Sequence, residues 1–481
     1  MAAVGGMLGA SDGISADHLN IDEYMQLTRL IGVAPAVSVQ MVFADGEEIE
    51  RARQLVEYCN GDPVSSEMGR LRARRGHPAP FGVRTWFLGN EAGVAPRFVE
   101  VDPSKQREPG RWRALPFTTA ADYTRMLKRM LPPLLEVDPS LRIIATTGSP
   151  NISWWKKWFP KSRDGSNHTS GLVNVLLRNW ATPVAEAVGD QIWAFSYHYY
   201  LHGPPGKSPW DPVRLREAGR APIGLLEALQ TYRGVLDDPP KVSIGVGAGL
   251  HMGLNERQHR RSQTPRRHPL RISLDEWGFG PPWSTSQFGA AHAMYAATTL
   301  TTIANHAHSL QLASTNYFEP INEGVIDVQA WNATLTPMGQ VMRLYARHQG
   351  QRLLRPAPPS TSTHASTAPV PAAEEVNAEV QLLITTDDDQ SRMLITAANT
   401  VAAAPRKLLV SLPGWHPAWG AAEAVALRAQ GVDPQVTRLT GGPGSFAAPR
   451  ALPLAGVHGG TLPLELPPYS IVQISVGVRP S

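Results

Sequence analysis

An alternation of apolar strands and amphipathic helices over residues 19–350 limits this chain to few folds. Strands are predicted near residues 35–42, 83–90, 141–147, 191–200, 271–276 and 309–318. A predicted helix follows each strand, after a longer loop in the last case, and this order is typical of parallel sheets. The predicted fold class is therefore α/β. Its commonest closed form, the (β/α)8 TIM barrel, needs eight strands, so we expect the first strands to be missing.

The composition changes after Gln349. Residues 355–375 are rich in Pro, Ser, Thr and Ala, which predicts a linker or a long flexible insert. Beyond them apolar and polar residues alternate, which predicts an all-β sandwich. Its strands are predicted at Val380–Thr386, Arg392–Ala398, Lys407–Leu412, Ala422–Leu427 and Thr461–Val476. We therefore divide the chain into a barrel domain over residues 1–350, incomplete at its N-terminus, and a C-terminal β-sandwich over residues 351–481.

Charge and cysteine content exclude several classes of protein. The 45 Lys and Arg against 41 Asp and Glu give a formal net charge of +4. Two Arg-rich runs, Arg70–Arg75 and Arg257–Arg271, lack interleaved aromatic residues, which favours solvated loops over a nucleic-acid surface. The single cysteine, Cys59, excludes a disulfide within the chain and is predicted to be buried in a helix. No apolar run reaches the ~18 residues of a membrane span, and no signal peptide is recognisable, which favours a cytoplasmic location over secretion.

Two predicted strands end in a carboxylate and then open into a Gly-rich loop. Glu91 follows the strand of residues 83–90, and Asp275 and Glu276 end the strand that begins at Arg271. Barrel enzymes carry their catalytic groups at the carboxyl ends of their strands. Two carboxylates that face one substrate are the machinery of glycoside hydrolysis. The sequence therefore predicts an acid and a nucleophile at this end of the sheet.

These motifs, in this order, resemble those of the α-L-arabinofuranosidases of glycoside hydrolase family 51. That family belongs to a clan of retaining (β/α)8 glycosidases, and its members have a C-terminal β-sandwich. The resemblance extends from about Leu19 to the end of the chain. It consists of EYCN at residues 57–60, GHPAP at 76–80, GNE at 89–91, HYY at 198–200, DEW at 275–277 and LPPYS at 466–470.

The resemblance implies roles for two carboxylates. Glu91 is expected to be the acid/base and Glu276 the nucleophile of a double displacement. The reaction would release terminal α-L-arabinofuranosyl residues from arabinose-containing oligo- or polysaccharides. No cofactor and no metal ion are implied. The expected partner is the carbohydrate, with neither nucleic acid nor membrane, and a homo-oligomer is an expected assembly.

Four further side chains are expected to bind substrate. Asn90 resembles the residue that donates to the sugar 2-hydroxyl group. Tyr200 resembles the tyrosine that hydrogen-bonds the nucleophile, and His198 stands where the family has a site histidine. Trp277 is expected to form a wall of the pocket.

Some positions depart from the family pattern. The family usually has Asn directly after DEW and an aromatic residue two positions later, whereas this chain has Gly278 and Gly280. Its last predicted barrel strand reads Leu-Ala-Ser-Thr-Asn at residues 312–316, without the Gln that the family usually offers to the sugar. The upstream strands of the family, with the loop that binds the furanose, do not precede Leu19. We therefore expect an open barrel with two unpaired edges, low stability and weak activity.

Three alternatives stay open. Gly278 and Gly280 could reshape the pocket for a related clan activity such as that of a β-xylosidase. An incomplete barrel could instead be a non-catalytic carbohydrate-binding remnant. The Arg-rich runs could bind nucleic acid, in which case the affinity would fall steeply with salt.

Overall fold

The computed structural model divides the chain into two compact units, each described by itself. The first consists of Met1–Tyr199, Ala228–Glu276 and Leu310–Tyr317, and the second of the remaining residues. The Pro-rich segment at 355–375, Gly280 and most of the Arg257–Arg271 run lie outside the described residues. The structure describes residues 19–39, 41, 44–92, 98–100, 112–114, 119–146, 180–201, 212–237, 269–279, 289–318, 320–321, 324–329, 332–354, 379–428, 450–451 and 461–480.

The strands before residue 320 fall into one parallel sheet and one hairpin. Each predicted barrel strand is confirmed. The elements are β1 (Ala36–Val39), β2 (Thr85–Leu88), β3 (Phe98–Glu100), β4 (Trp112–Ala114), β5 (Arg142–Ala145), β6 (Ala194–Leu201), β7 (Arg271–Phe279) and β8 (Leu312–Tyr317). Six of them form a sheet in the order β1-β2-β5-β6-β7-β8, and β3 pairs with β4 in a hairpin that the sequence did not predict. Parallel pairing holds from β1 to β6, so the carboxyl ends of these strands meet at one edge.

Helices separate the strands, and several begin where the sequence supplies a cap. They are α1 (Ile21–Leu30), α2 (Gly46–Asn60), α3 (Glu67–Arg74), α4 (Ala120–Val137), α5 (Pro212–Asp237), α6 (Ala290–His306) and α7 (Pro337–Ala346), with a further helical segment at 180–188. The side chains of Asn20, Asp45, Ser66 and Thr119 each accept a backbone N–H of the first turn, which satisfies donors that have no partner within the helix. Within the described residues, no helix has the length and apolar character needed to cross a bilayer.

The prediction that the Arg70–Arg75 run is a solvated loop is wrong, since most of the run forms helix α3. Arg72 is fully buried. Its guanidinium donates to the carbonyl oxygens of Tyr58 at 2.6 Å, Gly61 at 2.9 Å and His77 at 3.0 Å. Two of these carbonyls lie at the end of α2, where they have no partner within that helix. Arg72 therefore fastens the chain between α2 and β2.

The EYCN segment serves the same framework. The Asn60 amide nitrogen donates to the Val83 carbonyl at 2.8 Å and to an Asp138 carboxylate oxygen at 2.7 Å, and its oxygen accepts the Val83 N–H. Val83 precedes β2 and Asp138 follows α4, so one side chain joins three elements. Cys59 is buried in α2, as predicted. These contacts lie at the amino end of β2, where a barrel keeps residues that stabilise it.

The second unit contains the predicted β-sandwich. Its remaining strands are β9 (Ile326–Gln329), β10 (Asn332–Leu335), β11 (Arg352–Leu354), β12 (Val380–Thr386), β13 (Arg392–Asn399), β14 (Arg406–Ser411), β15 (Glu423–Arg428), β16 (Arg450–Ala451), β17 (Thr461–Leu466) and β18 (Ser470–Gly477). One sheet has the order β11-β12-β13-β18-β15-β16, and β14 pairs with β17. Apolar residues of both layers, such as Ile395, Ile474 and Leu464, form its core, as alternating strands should. The domain boundary near residue 350 stays a prediction.

We predict that Arg72→Ala lowers the free energy of unfolding by about 3 kcal/mol, because three buried or partly buried carbonyl groups lose their donor. Chemical denaturation of the purified chain measures this change. Arg74→Ala is the matched control, since Arg74 is exposed on the same helix and its loss should alter stability little. Equal effects of the two substitutions would contradict the role given to Arg72.

Candidate active site

Glu91 lies in a sharp turn just after β2. The φ angles are +82° at Gly89 and +43° at Glu91, and the left-handed region is uncommon for a residue with a side chain. Such strain costs ~1–3 kcal/mol and is concentrated at functional sites. The Gly89 N–H donates to the Val39 carbonyl at 2.8 Å, so the turn is held against the end of β1.

Tyr123 of α4 supports the same turn from below. Its buried hydroxyl group donates to the Leu88 carbonyl at 2.6 Å and accepts the Thr146 N–H at 2.8 Å. Leu88 ends β2 and Thr146 follows β5, so the hydroxyl joins the carboxyl ends of two neighbouring strands. The aromatic ring stacks on Trp180, with centroids 5.6 Å apart. Tyr123, which is itself packed against Trp180, thus fixes the strand end from which the Glu91 turn begins.

His198 is the centre of the cluster. It lies on β6 with its side chain 3% exposed, and its Nδ1 atom is 2.9 Å from Glu91 Oε1 and 3.2 Å from Glu276 Oε2. Its Nε2 atom is 3.2 Å from Ser196 Oγ and 3.9 Å from Asp275 Oδ1. Three of the residues predicted for the site are thereby brought together, Glu91 from the turn after β2, His198 from β6 and Glu276 from β7.

The two predicted catalytic carboxylates lie close to each other. One oxygen of Glu91, one oxygen of Glu276 and a ring nitrogen of His198 are all within 4.8 Å of one another. Retaining glycosidases hold their two carboxyl groups ~5–5.5 Å apart, whereas inverting enzymes need ~6.5–9.5 Å to admit a water molecule. Two carboxylate oxygens within 4.8 Å of each other are compatible with the shorter spacing.

The same three side chains are also spaced as a metal-binding group would be. Two carboxylates and an imidazole are common ligands of transition metals. Here the hydrogen-bonding distances from Nδ1, 2.9 and 3.2 Å, account for the spacing without an ion. The geometry alone therefore gives no reason to invoke one.

Two pKa values within the cluster are raised, for different physical reasons. Burial lowers the pKa of His198, but the charge of Glu276, the hydrogen bond to Glu91 and the charge of Asp275 outweigh it and raise this pKa to about 9. Burial raises the pKa of Asp275 to about 7, with the charge of Glu276 adding to the effect and that of His198 opposing it. At neutral pH His198 is therefore an imidazolium ion between carboxyl groups.

The structure also describes the other three residues predicted for the site. Asn90 is exposed in the turn that carries Glu91. Tyr200 is half-buried, and its ring packs edge-on against Phe318 with centroids 6.0 Å apart. Trp277 is 1% exposed and packs edge-on against Tyr295 of α6 at 5.9 Å.

Ser196 and Asp275 contact His198, and the sequence analysis gave neither of them a role. Ser196 lies two positions before His198, and alternate residues of a strand point to the same face. That spacing could have identified Ser196. Asp275 is far from His198 in the sequence and comes near it only because β6 and β7 are neighbours in the sheet. In the sequence, only its place beside Glu276 pointed to the site.

Comparison with protein families finds a match in the first third of the chain. The family model described as "Alpha-L-arabinofuranosidase 1 domain" matches residues 5–158. The "Intracellular exo-alpha-(1->5)-L-arabinofuranosidase 1" of Bacillus subtilis (strain 168) is 32% identical over 112 residues, which are 22% of this chain and 19% of that protein. The "Probable alpha-L-arabinofuranosidase C" of Aspergillus fumigatus is 27% identical over 142 residues, 30% of this chain and 24% of that protein. The chain thus matches less than a quarter of the length of these curated relatives.

Solved structures resemble nearly the whole chain. The α-L-arabinofuranosidase from Thermotoga maritima, in complex with arabinose, has a TM-score of 0.63 at 17% identity, covering 97% of this chain and 80% of that one. The GH51 α-L-arabinofuranosidase from Thermotoga petrophila RKU-1 has a TM-score of 0.60 at 17% identity, covering 95% and 78%. These matches confirm the predicted fold class, and all the comparisons together confirm the resemblance stated from the sequence.

We predict that the His198 ring titrates with a pKa near 9 and that Glu276→Gln lowers this value, because one of the charges that raise it is removed. Nitrogen-15 NMR of the histidine side chains measures both, with His198→Asn to assign the signal. An unfolded histidine titrates at ~6.5, so the contribution of His198 to stability is full below that pH and is lost as the pH rises through the folded value. A His198 pKa near 6.5 in the parent protein would contradict the cluster.

Proposed function

Since the chain resembles the family 51 arabinofuranosidases in sequence and in fold, we propose that it is a retaining glycoside hydrolase. It releases terminal α-L-arabinofuranosyl residues from arabinose-containing oligo- or polysaccharides. The observation that carries this proposal is the pair of carboxylates, Glu91 and Glu276, with oxygen atoms within 4.8 Å of each other. The spacing supports a double displacement, which needs no water between the two groups in the first step.

In the first step the Glu276 carboxylate attacks the anomeric carbon of the arabinofuranosyl group. The bond from that carbon to the leaving oxygen breaks, and Glu91 gives the leaving oxygen a proton. The product is an arabinofuranosyl ester of Glu276. In the second step Glu91 removes a proton from water, the water oxygen attacks the same carbon, and the ester bond breaks. The two inversions leave the configuration unchanged.

His198 supplies a positive charge and a proton beside Glu91 and Glu276. Two ionised carboxylates so close would repel each other, and the imidazolium offsets part of that repulsion. Its Nδ1–H, 2.9 Å from Glu91 Oε1, also keeps a proton within reach of the acid/base. We expect that proton to move onto Glu91 when the substrate oxygen arrives.

The remaining site residues are proposed on the resemblance to the family. Asn90 is exposed beside Glu91, where its amide can donate to the sugar 2-hydroxyl group. Tyr200 and Trp277 are proposed to bind substrate, and a homo-oligomer is proposed as the assembly. The mechanism uses no metal ion and no cofactor.

Hydrolysis of a chromogenic α-L-arabinofuranoside tests the proposal. We expect activity in the parent chain and a loss of at least ~100-fold in both Glu91→Gln and Glu276→Gln, because each removes a group that exchanges charge or protons in the transition state. Glu67→Gln is the matched control, since Glu67 is exposed on α3 of the same unit. Proton NMR of the first sugar released should show the α-anomer.

Parallel assays separate the alternatives. Faster hydrolysis of a β-D-xyloside than of the arabinofuranoside would favour the related clan activity. Calorimetric binding of arabinose oligosaccharides without turnover, in a folded parent chain, would identify a binding protein. Release of the β-anomer would overturn the retaining mechanism.

A further inference from the structure

The His198 ring has two nitrogen atoms, and the proposed reaction uses only Nδ1. The other, Nε2, faces a second buried group on the side away from the catalytic carboxylates. It is 3.2 Å from Ser196 Oγ and 3.9 Å from Asp275 Oδ1. The Ser196 side chain hydrogen-bonds to Asp275, and the Tyr197 N–H donates to Asp275 Oδ1 at 3.1 Å.

The direction of these bonds depends on the protonation of the His198 ring, and the surrounding carboxyl groups favour the imidazolium form. An imidazolium ring donates from both nitrogens, so the Nε2–H points to the Ser196 oxygen. A serine hydroxyl has one hydrogen, and with its oxygen accepting from His198 that hydrogen goes to the Asp275 carboxylate. The series of hydrogen bonds therefore leads from His198 through Ser196 to Asp275. It ends in a carboxylate that a backbone N–H also holds in place.

The three hydrogen-bonded residues are shielded from water. His198, Ser196 and the Asp275 side chain are 3%, 4% and 8% exposed. A buried carboxylate without a cation or donors costs several kcal/mol. The Ser196 hydroxyl, the Tyr197 N–H and the charge on His198 therefore stabilise the ionised form of Asp275. Among the described residues, the charged groups that act on His198 are Glu91, Glu276 and Asp275.

We propose that Asp275, acting through the Ser196 hydroxyl, positions the His198 ring and keeps its Nδ1–H directed at Glu91 and Glu276. The inference rests on the proposed function of those two carboxylates. Asp275 is a positioning residue, since no substrate atom need touch it. Without it the Ser196 hydroxyl can turn its hydrogen towards Nε2, and the ring loses the negative charge on that side.

A purely structural role is the competing explanation. The bond from the Tyr197 N–H joins β6 to β7, so Asp275 could simply fasten two strands. Asp275→Asn separates the two roles, because the amide oxygen can still accept the Tyr197 N–H. Its amide nitrogen would then donate to Ser196, and the hydroxyl would turn its hydrogen towards Nε2. That reversal favours a neutral ring.

The test compares Asp275→Asn and Ser196→Ala with the parent chain and with Ser273→Ala. Ser273 is a matched control because its buried hydroxyl, also on β7, pairs with Ser314 Oγ at 2.6 Å and not with His198. For the first two variants we expect kcat to fall about tenfold or more with KM nearly unchanged, which is the pattern of a group that acts in the transition state. We also expect the His198 pKa, read by nitrogen-15 NMR, to fall by about 1 or more. Ser273→Ala should change only the melting temperature.

Two results would overturn the inference. One is an unchanged His198 pKa and pH–rate profile in both Asp275→Asn and Ser196→Ala, with stability alone reduced. The other is an effect of Ser273→Ala as large as theirs. If the parent chain hydrolyses no arabinofuranoside, the proposed function fails, and the NMR titration still decides the positioning role. If Asp275→Asn does not fold, Ser196→Ala decides it.

Discussion

The contact between one buried imidazole and its surrounding carboxyl groups is the interaction on which the site depends. Glu91, Glu276 and Asp275 reach His198 from a turn and a strand that are far apart in sequence. Three carboxylates at such distances would repel one another by several kcal/mol if all were ionised and no cation lay between them. The positive charge on His198 makes their approach favourable, and their negative charges keep the ring protonated. Each side of the cluster therefore requires the other.

The scaffold meets this electrostatic demand with rigid backbone. The turn that presents Glu91 has a strained conformation at that residue, and strain persists only where the surroundings fix it. The Tyr123 hydroxyl and the bond from Gly89 to β1 supply that support. Loss of either would allow the turn to relax, and the carboxylate would move away from His198. The position of the proposed acid/base is thus determined by residues that do no chemistry.

Local patterns were sufficient for most elements and for the proposed catalytic pair. Buried parallel strands are short apolar runs, and both carboxylates stand at the ends of such runs, so each could be found from its immediate neighbours. Helix α3 was missed because a run of arginines is usually solvated, whereas Arg72 is buried by carbonyl groups that its own segment does not contain. Asp275 was missed for the same kind of reason, since its partners lie 78 residues away on another strand. Contacts between distant segments are not visible in a local pattern.

Asn60 stabilises the framework, whereas His198 contacts the proposed catalytic carboxylates, and this difference affects how chains of this kind should be recognised. Asn60 of EYCN hydrogen-bonds to Val83 at the amino end of β2, and Arg72 holds the His77 carbonyl of GHPAP. Both segments lie with Glu91 inside the matched region of residues 5–158, which excludes His198 and Glu276. A homology search that succeeds on such a region detects the preserved architecture rather than the complete chemistry. Genome surveys based on this region alone would therefore count chains with and without these two residues alike. A survey that also requires the histidine and the second carboxylate would select chains that carry the whole proposed site.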